Sequence, residues 1–159
     1  MIQNPTATEP TVQRRAFEAW SIEVPVAFAE VFVADDCYWH AYDEHRSISL
    51  TSIVISEQRE PVSAPRILER AGTLDGAPVD QMPSGLLGRA ATCIASQPAI
   101  ASRLLSGILV TDGRLLLVTI TSDDLDWARR VWLSIRSHPA PFQPFTRERK
   151  RDAGRRRAH

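Results

Sequence analysis

Chemically capable side chains gather most densely in DDCYWHAYDEH, residues 35–45, where one cysteine, two histidines and four acids share eleven positions. Cys37, His40, Asp43, Glu44 and His45 are of the types that ligate zinc, and a zinc site requires three or four such groups converging at about 2.0–2.3 Å. Strand alternation works against convergence. If residues 37–43 are extended, Cys37, Trp39, Ala41 and Asp43 lie on one side and Tyr38, His40 and Tyr42 on the other, so Cys37 and His40 diverge. A turn at DEHRS then separates His40 from His45, and the chain has no CxxC, HxxxH or HExxH spacing. The stretch therefore reads as an aromatic strand ending in a polar turn. No metal or other cofactor is called for, and Tyr38, His40 and Tyr42, sharing one face, form a candidate binding surface.

Nucleophilic chemistry has no better footing. GxSxG is absent, and the pairs Ser84-Gly85 and Ser106-Gly107 fall in a loop and at a strand start. GLLGRA, residues 85–90, is neither a Walker loop nor GxGxxG, so phosphate binding has no motif behind it. Asp123, Asp124 and Asp126 could act as paired carboxylates, but capping of a helix N-terminus accounts for them. Cys37 and Cys93 are far apart in sequence and read as two small buried hydrophobes rather than a disulfide. With no catalytic motif and no small-molecule substrate indicated, a non-enzymatic protein is expected.

Charge supplies the second candidate. Residues 146–159, TRERKRDAGRRRAH, hold Arg147, Arg149, Lys150, Arg151, Arg155, Arg156 and Arg157 against Glu148 and Asp152, a net +5 in a chain whose formal charge is zero. Clustered arginines can neutralise phosphates, with salt-sensitive affinity. No aromatic residue is interleaved with them, so base stacking from the tail itself is not expected.

The elements that must position these residues follow from periodicity. At 159 residues, 43% hydrophobic and 24% charged, the chain fits one soluble domain. No apolar run approaches the roughly 18 residues that span a bilayer. MIQNPTATEPTVQRR lacks the basic start and apolar stretch of a secretory signal, so a cytoplasmic location is expected. Residues 1–15 read as a loose lead-in, 16–138 as the domain, and 139–159 as a proline-containing linker and basic tail.

FEAWSIEVP, residues 17–25, alternates, with Trp20, Ile22 and Val24 on one face. Residues 26–34 fit either a strand or a short helix, and SISLTSIVIS, 47–56, is a strand. Ser63, Pro65 and Gly72 bracket a helix at 64–71. Residues 72–88 read as a long loop and 88–96 as a strand. In SGILVTDGRLLLVTIT, residues 106–121, Asp112-Gly113 predicts a two-residue hairpin with Thr111 opposite Arg114. One face then holds Ile108, Val110, Leu115 and Leu117, and the other Leu105, Leu109, Leu116, Val118 and Ile120. Both faces are apolar near the turn, which predicts cover on both sides. Ser122 or Asp123 can cap a last helix whose stripe is Leu125, Ala128, Val131, Trp132 and Ile135, with Arg129 and Arg130 outside. The fold class expected is α+β: an antiparallel sheet of about six strands, a helix after the third or fourth, and a C-terminal helix packed on the sheet.

The succession of WSIEVP, an aromatic strand, SISLTSIVIS, a helix, and a hairpin ending LLLVTIT that feeds DWARRVWLSIR resembles the PsbP-like fold over residues 17–137. That fold is shared by the extrinsic protein of photosystem II, a Ran-binding nuclear transport factor and bacterial chaperones of type VI secretion effectors. Thr119 and Thr121 match its Thr-rich strand end, and Ser134-Ile135 the pair that closes its last helix. The resemblance carries no catalytic residues. It implies a binding protein, a chaperone or adaptor, whose partner is another protein or a second copy of itself. The alternative is a nucleic-acid or ribosome-associated protein acting through the Arg-rich tail.

Overall fold

Thr11–Phe17 forms β1 and pairs antiparallel with β2, Trp20–Pro25, in the computed structural model, which describes residues 9–94 and 102–143. β1 thus lies largely inside the segment expected to be a loose lead-in. Its side chains are mostly polar and exposed, so the strand comes from pairing with β2 rather than from its own pattern. β2 buries Trp20, Ile22 and Val24, as its alternation predicts.

There follow β3 (Ala29–Val33), β4 (Tyr38–Tyr42) and β5 (Ser47–Val54), then a ribbon of β6 (Ser56–Glu57) and β7 (Glu60–Pro61). Helix α1 (Ala64–Ala71) precedes β8 (Ala77–Val79), β9 (Leu87–Ile94), β10 (Arg103–Thr111) and β11 (Arg114–Ser122); helix α2 (Leu125–Leu133) and β12 (Arg136–Ser137) complete the order. The ambiguous segment before Cys37 is therefore a strand, and the loop expected at 72–88 contains β8.

The main sheet has seven strands in the order β3-β4-β5-β11-β10-β9-β8, with every neighbouring pair antiparallel. A three-stranded sheet, β1-β2-β12, packs on it. The α+β class holds, but the single sheet of about six strands is replaced by sheets of seven and three strands and the β6-β7 ribbon. β8 and β12 span only three and two residues, too short for a period to register.

The β10–β11 hairpin runs in the register that Asp112-Gly113 dictates, from Thr111 opposite Arg114 to Arg103 opposite Ser122. Gly113 has φ 78°, open to glycine at no steric cost, and a Cβ there would stand 2.6 Å from the Phe142 ring. Arg114 Nη2 donates to the Pro141 carbonyl at 2.8 Å, strapping residues 140–142 across the turn.

Two layers cover the hairpin's two apolar faces. On the inner face Leu105, Leu109, Leu116, Val118 and Ile120 pack with Ile48 and Leu50 beneath β2 and the α2 residues Trp127, Ala128, Val131 and Trp132. Trp132 lies on Gly107 so closely that a Cβ there would collide with ring atoms Cζ3 and Cη2. On the outer face, α1 sets Ala64 and Ile67 over Ile108, Val110 and Leu115, covering only the turn end.

Both helix starts differ in detail from expectation. Asp124, not Ser122 or Asp123, caps α2, accepting from the N–H groups of Asp126 and Trp127 at 3.0 and 3.1 Å, while Ser122 Oγ accepts from Asp124 N–H. Ser63 holds the cap position of α1 without a side-chain bond; Asp112, in the hairpin turn, accepts from Ala64 N–H at 2.8 Å. Helix and hairpin therefore share one acid.

Arg46 closes the domain's N-terminal side. Its guanidinium donates to both Glu9 oxygens at 2.7 Å and to Asp43 at 2.7 and 3.0 Å, and lies 5.0 Å from the Phe28 ring centre and 4.8 Å from that of Trp127. Among the described residues no helix is long and apolar enough to cross a membrane.

Candidate functional site on the outer sheet face

Cross-strand register assembles the outer face row by row. Val31 of β3 stands beside His40 of β4, Ser49 of β5, Thr119 of β11, Ser106 of β10 and Ala91 of β9. The adjacent rows run Val33, Tyr38, Thr51, Leu117 and Ile108, and Ala29, Tyr42, Ser47, Thr121 and Leu104. Small hydroxyl residues thus fill the centre, with the aromatic strand to one side and α1 across one end. The strands β3, β4, β5 and β11 are left open beyond that end.

Tyr38, His40 and Tyr42 share this face, as alternation predicts, and their rings stack along the strand. Ring centres are 6.1 Å apart at 12° for Tyr38–His40 and 5.1 Å apart at 25° for His40–Tyr42. Ser49 Oγ lies 2.8 Å from His40 Nδ1 and 3.2 Å from the Tyr38 hydroxyl, fixing the ladder to β5. Each ring turns a face to its neighbour along the strand, so edges and hydroxyls are what the ladder presents outward.

Of the eleven exposed large hydrophobics among the described residues, six lie on this one face: Val31, Val33, Tyr42, Ile53, Leu87 and Leu117. Scattered apolar exposure is ordinary, and the number of such residues on one face makes that face the candidate binding surface.

The zinc-type residues do not come together. Cys37 sits in the β3–β4 turn at φ 48° with its thiol toward Ala34 O, His40 is on the outer face, and Asp43 is engaged by Arg46 and by the N–H of His45. Among the described residues no group of three or more His, Cys, Asp or Glu side chains is placed to hold a metal ion. Both cysteines are free thiols, but Cys37 is exposed and Cys93 half-buried, so neither is the buried hydrophobe expected. Cys37 is exposed because the turn takes it out of the strand.

One Ser–His pair was invisible in the sequence, its members being 117 residues apart. Ser21 Oγ lies 2.6 Å from His138 Nε2 and accepts from Gln13 Nε2 at 2.9 Å. Ser21 is only 2% exposed, and the charges nearest the imidazole are those of Arg15 and Arg136 rather than an orienting carboxylate. A hydrolytic triad needs an accessible hydroxyl and an acid behind the histidine, so this pair is a clasp holding the segment after β12 to β2. Burial, then Arg15 and Arg136, push the His138 pKa below its ordinary 6.5. An NMR titration should therefore place the His138 midpoint below 6.5, and Ser21→Ala should leave it depressed, since the arginines remain.

A cleft of about 460 Å³ opens at the β8 edge, lined by Thr73, Leu74, Pro78, Met82 and Arg89. Arg89 also donates to Gly72 O at the end of α1. The candidate polyanion contacts Arg147, Arg149, Lys150, Arg151, Arg155, Arg156 and Arg157 lie outside the described residues.

No family model and no curated protein matches this sequence. A crystal structure from Bacteroides thetaiotaomicron VPI-5482, solved at 1.50 Å, is similar to it with a TM-score of 0.54 at 9% identity. The match covers 86% of this chain and 53% of that one, so this chain spans about half the other's length. At that identity the likeness shows the fold alone.

Proposed function

We propose that the protein is a non-enzymatic binding module that takes another protein on the outer face of its main sheet, in the manner of a chaperone or adaptor. The observation that carries this reading is the gathering of Val31, Val33, Tyr42, Ile53 and Leu117 on the open strands of one face. The hydroxyls of Ser47, Ser49, Thr51, Thr119 and Thr121 between them provide donors and acceptors for the polar part of an interface. The resemblance to PsbP-like binding proteins supports the same reading. Base stacking requires free ring faces, and the Tyr38–His40–Tyr42 ladder leaves only the far faces of its two end rings, so a nucleic-acid reading rests chiefly on the charge of the tail.

The test is affinity recovery from the native host with the full chain, the double variant Ile53→Glu/Leu117→Glu, and Leu133→Glu on α2. Ile53, Leu117 and Leu133 are each about 40% exposed, so each change gives up part of a side chain's burial, about 1 kcal/mol, and should leave the domain folded. The outer-face variant is expected to lose a co-purifying protein by about tenfold or more while Leu133→Glu retains it. Equal recovery by all three, or recovery that disappears with removal of residues 144–159 and with added salt, would transfer the activity to another surface.

A further inference from the structure

The two edges of the main sheet are unlike. β8 is a three-residue edge with Pro78 at its centre, which removes an N–H and shortens the pairing register. β3 is a five-residue edge, AEVFV, in which every residue is exposed, with Val31 at 44%, Phe32 at 56% and Val33 at 38%. It has no proline and no lysine, and the turn after it, residues 34–37, is exposed as well. A strand paired on one side leaves alternate N–H and C=O groups free along the other, a template for another strand.

We propose that β3 pairs antiparallel with β3 of a second copy about a two-fold axis at Val31. This inference concerns the sheet edge and holds whether or not the outer face takes a different protein. Under that axis Val31 faces its own counterpart, Ala29 faces Val33, and Glu30 faces Phe32. Every one of the five residues is paired, and the outer-face row stays apolar across the junction.

Charge selects the direction. Parallel self-pairing in register sets Glu30 beside Glu30 and the acids Asp35 and Asp36 beside their copies. The antiparallel two-fold instead sends the two acidic turns to opposite ends, roughly 26 Å apart at about 3.3 Å per residue. The strand's one charge is also answered within its own protomer, where Arg14 Nε stands 3.2 Å from Glu30 Oε1. Two five-residue strands bury less than a standard interface, so the dimer is expected to be weak and concentration-dependent. Its consequence is geometric: two seven-stranded sheets become one, and two outer faces become a single continuous surface.

Sedimentation equilibrium on the full chain up to about 1 mM reads the association directly. The wild type is expected to rise from 17.7 kDa toward twice that mass. Val31→Lys and Val31→Glu, each changing an exposed side chain, should fold normally and each weaken association by about tenfold, because like charges then meet at the axis. An equimolar mixture of the two variants should restore it. A wild type that stays monomeric, a charged variant that dimerises undiminished, or a mixture that remains monomeric overturns the proposal; the second places the contact elsewhere, and the third denies that Val31 faces its own counterpart. None of these outcomes bears on the loss of partner in Ile53→Glu/Leu117→Glu, so the two readings fail separately.

Discussion

Trp132→Ala is expected to destabilise the fold by about 4 kcal/mol, a large share of the roughly 5–15 kcal/mol that holds a domain of this size together. Trp132 is fully buried between α2 and the main sheet, and its Nε1 donates to Gln81 O at 2.9 Å, so the loop between β8 and β9 loses its anchor with the ring. The ring's seat explains Gly107. A glycine in the middle of a central strand is normally a weakness, yet here a methyl group would strike Trp132. Gly107→Ala alone should cost about 2 kcal/mol through overpacking; in the Trp132→Ala background it should be close to neutral, because the methyl group enters space the indole has left. Urea unfolding of the four proteins in this cycle should give a coupling of about 2 kcal/mol. Strict additivity would contradict the packing described.

Arg46→Ala is expected to cost about 2–3 kcal/mol at pH 7. Arg46 makes charge-assisted bonds to two carboxylates from different segments and lies against two aromatic rings, and its removal leaves Glu9 and Asp43 without their counter-charge. Arg46→Lys keeps a charge but not the planar fork that reaches both acids, so about half of the loss should remain.

The pH dependence has a definite sign. Hydrogen bonding to Arg46 holds the Glu9 carboxyl below its usual 4.5 despite some burial. Burial raises Asp43, but the bonds from Arg46 and from the N–H groups of His45 and Arg46 outweigh it and hold that carboxyl below 3.8. Groups depressed in the folded state contribute fully above their unfolded values and lose the contribution as pH falls through the folded ones. The gap in unfolding free energy between wild type and Arg46→Ala should therefore be constant above about pH 5 and narrow steadily toward pH 2. A gap unchanged over that range would mean that the aromatic contacts, and not the ion pairs, carry the effect.

What the sequence disclosed divides by the range of the interaction. Asp112-Gly113 and two runs of alternating apolar residues specify the β10–β11 register and both of its faces, because turn and pattern are local. Ser63, Pro65 and Gly72 bracket α1, and helical period places Ala128, Val131 and Trp132 on the buried side of α2, though it misses Trp127, which is buried there too. The placement of Tyr38, His40 and Tyr42 on one face follows from alternation alone. Their company does not: that Ser49, Thr119 and Ser106 line up beside His40 depends on β5 pairing with β11, strands separated by β6, β7, α1, β8, β9 and β10. β1 was unreadable because its polar side chains carry no strand signal apart from β2. The Ser21–His138 clasp and the seat of Trp132 on Gly107 join segments distant in sequence, and no local signal marks them.

The outer face is proposed as the surface that takes another protein. Site-specific photocrosslinking from a benzophenone side chain at Leu117, in cells of the native host, tests it most directly. Leu117 is 41% exposed at the middle of the face and three strands from the β3 edge, so an adduct formed there is not one of two β3 strands. The expected result is a discrete adduct with one other protein from position 117 and none from a matched probe at Leu133. No adduct from Leu117, or an equal one from Leu133, would contradict it.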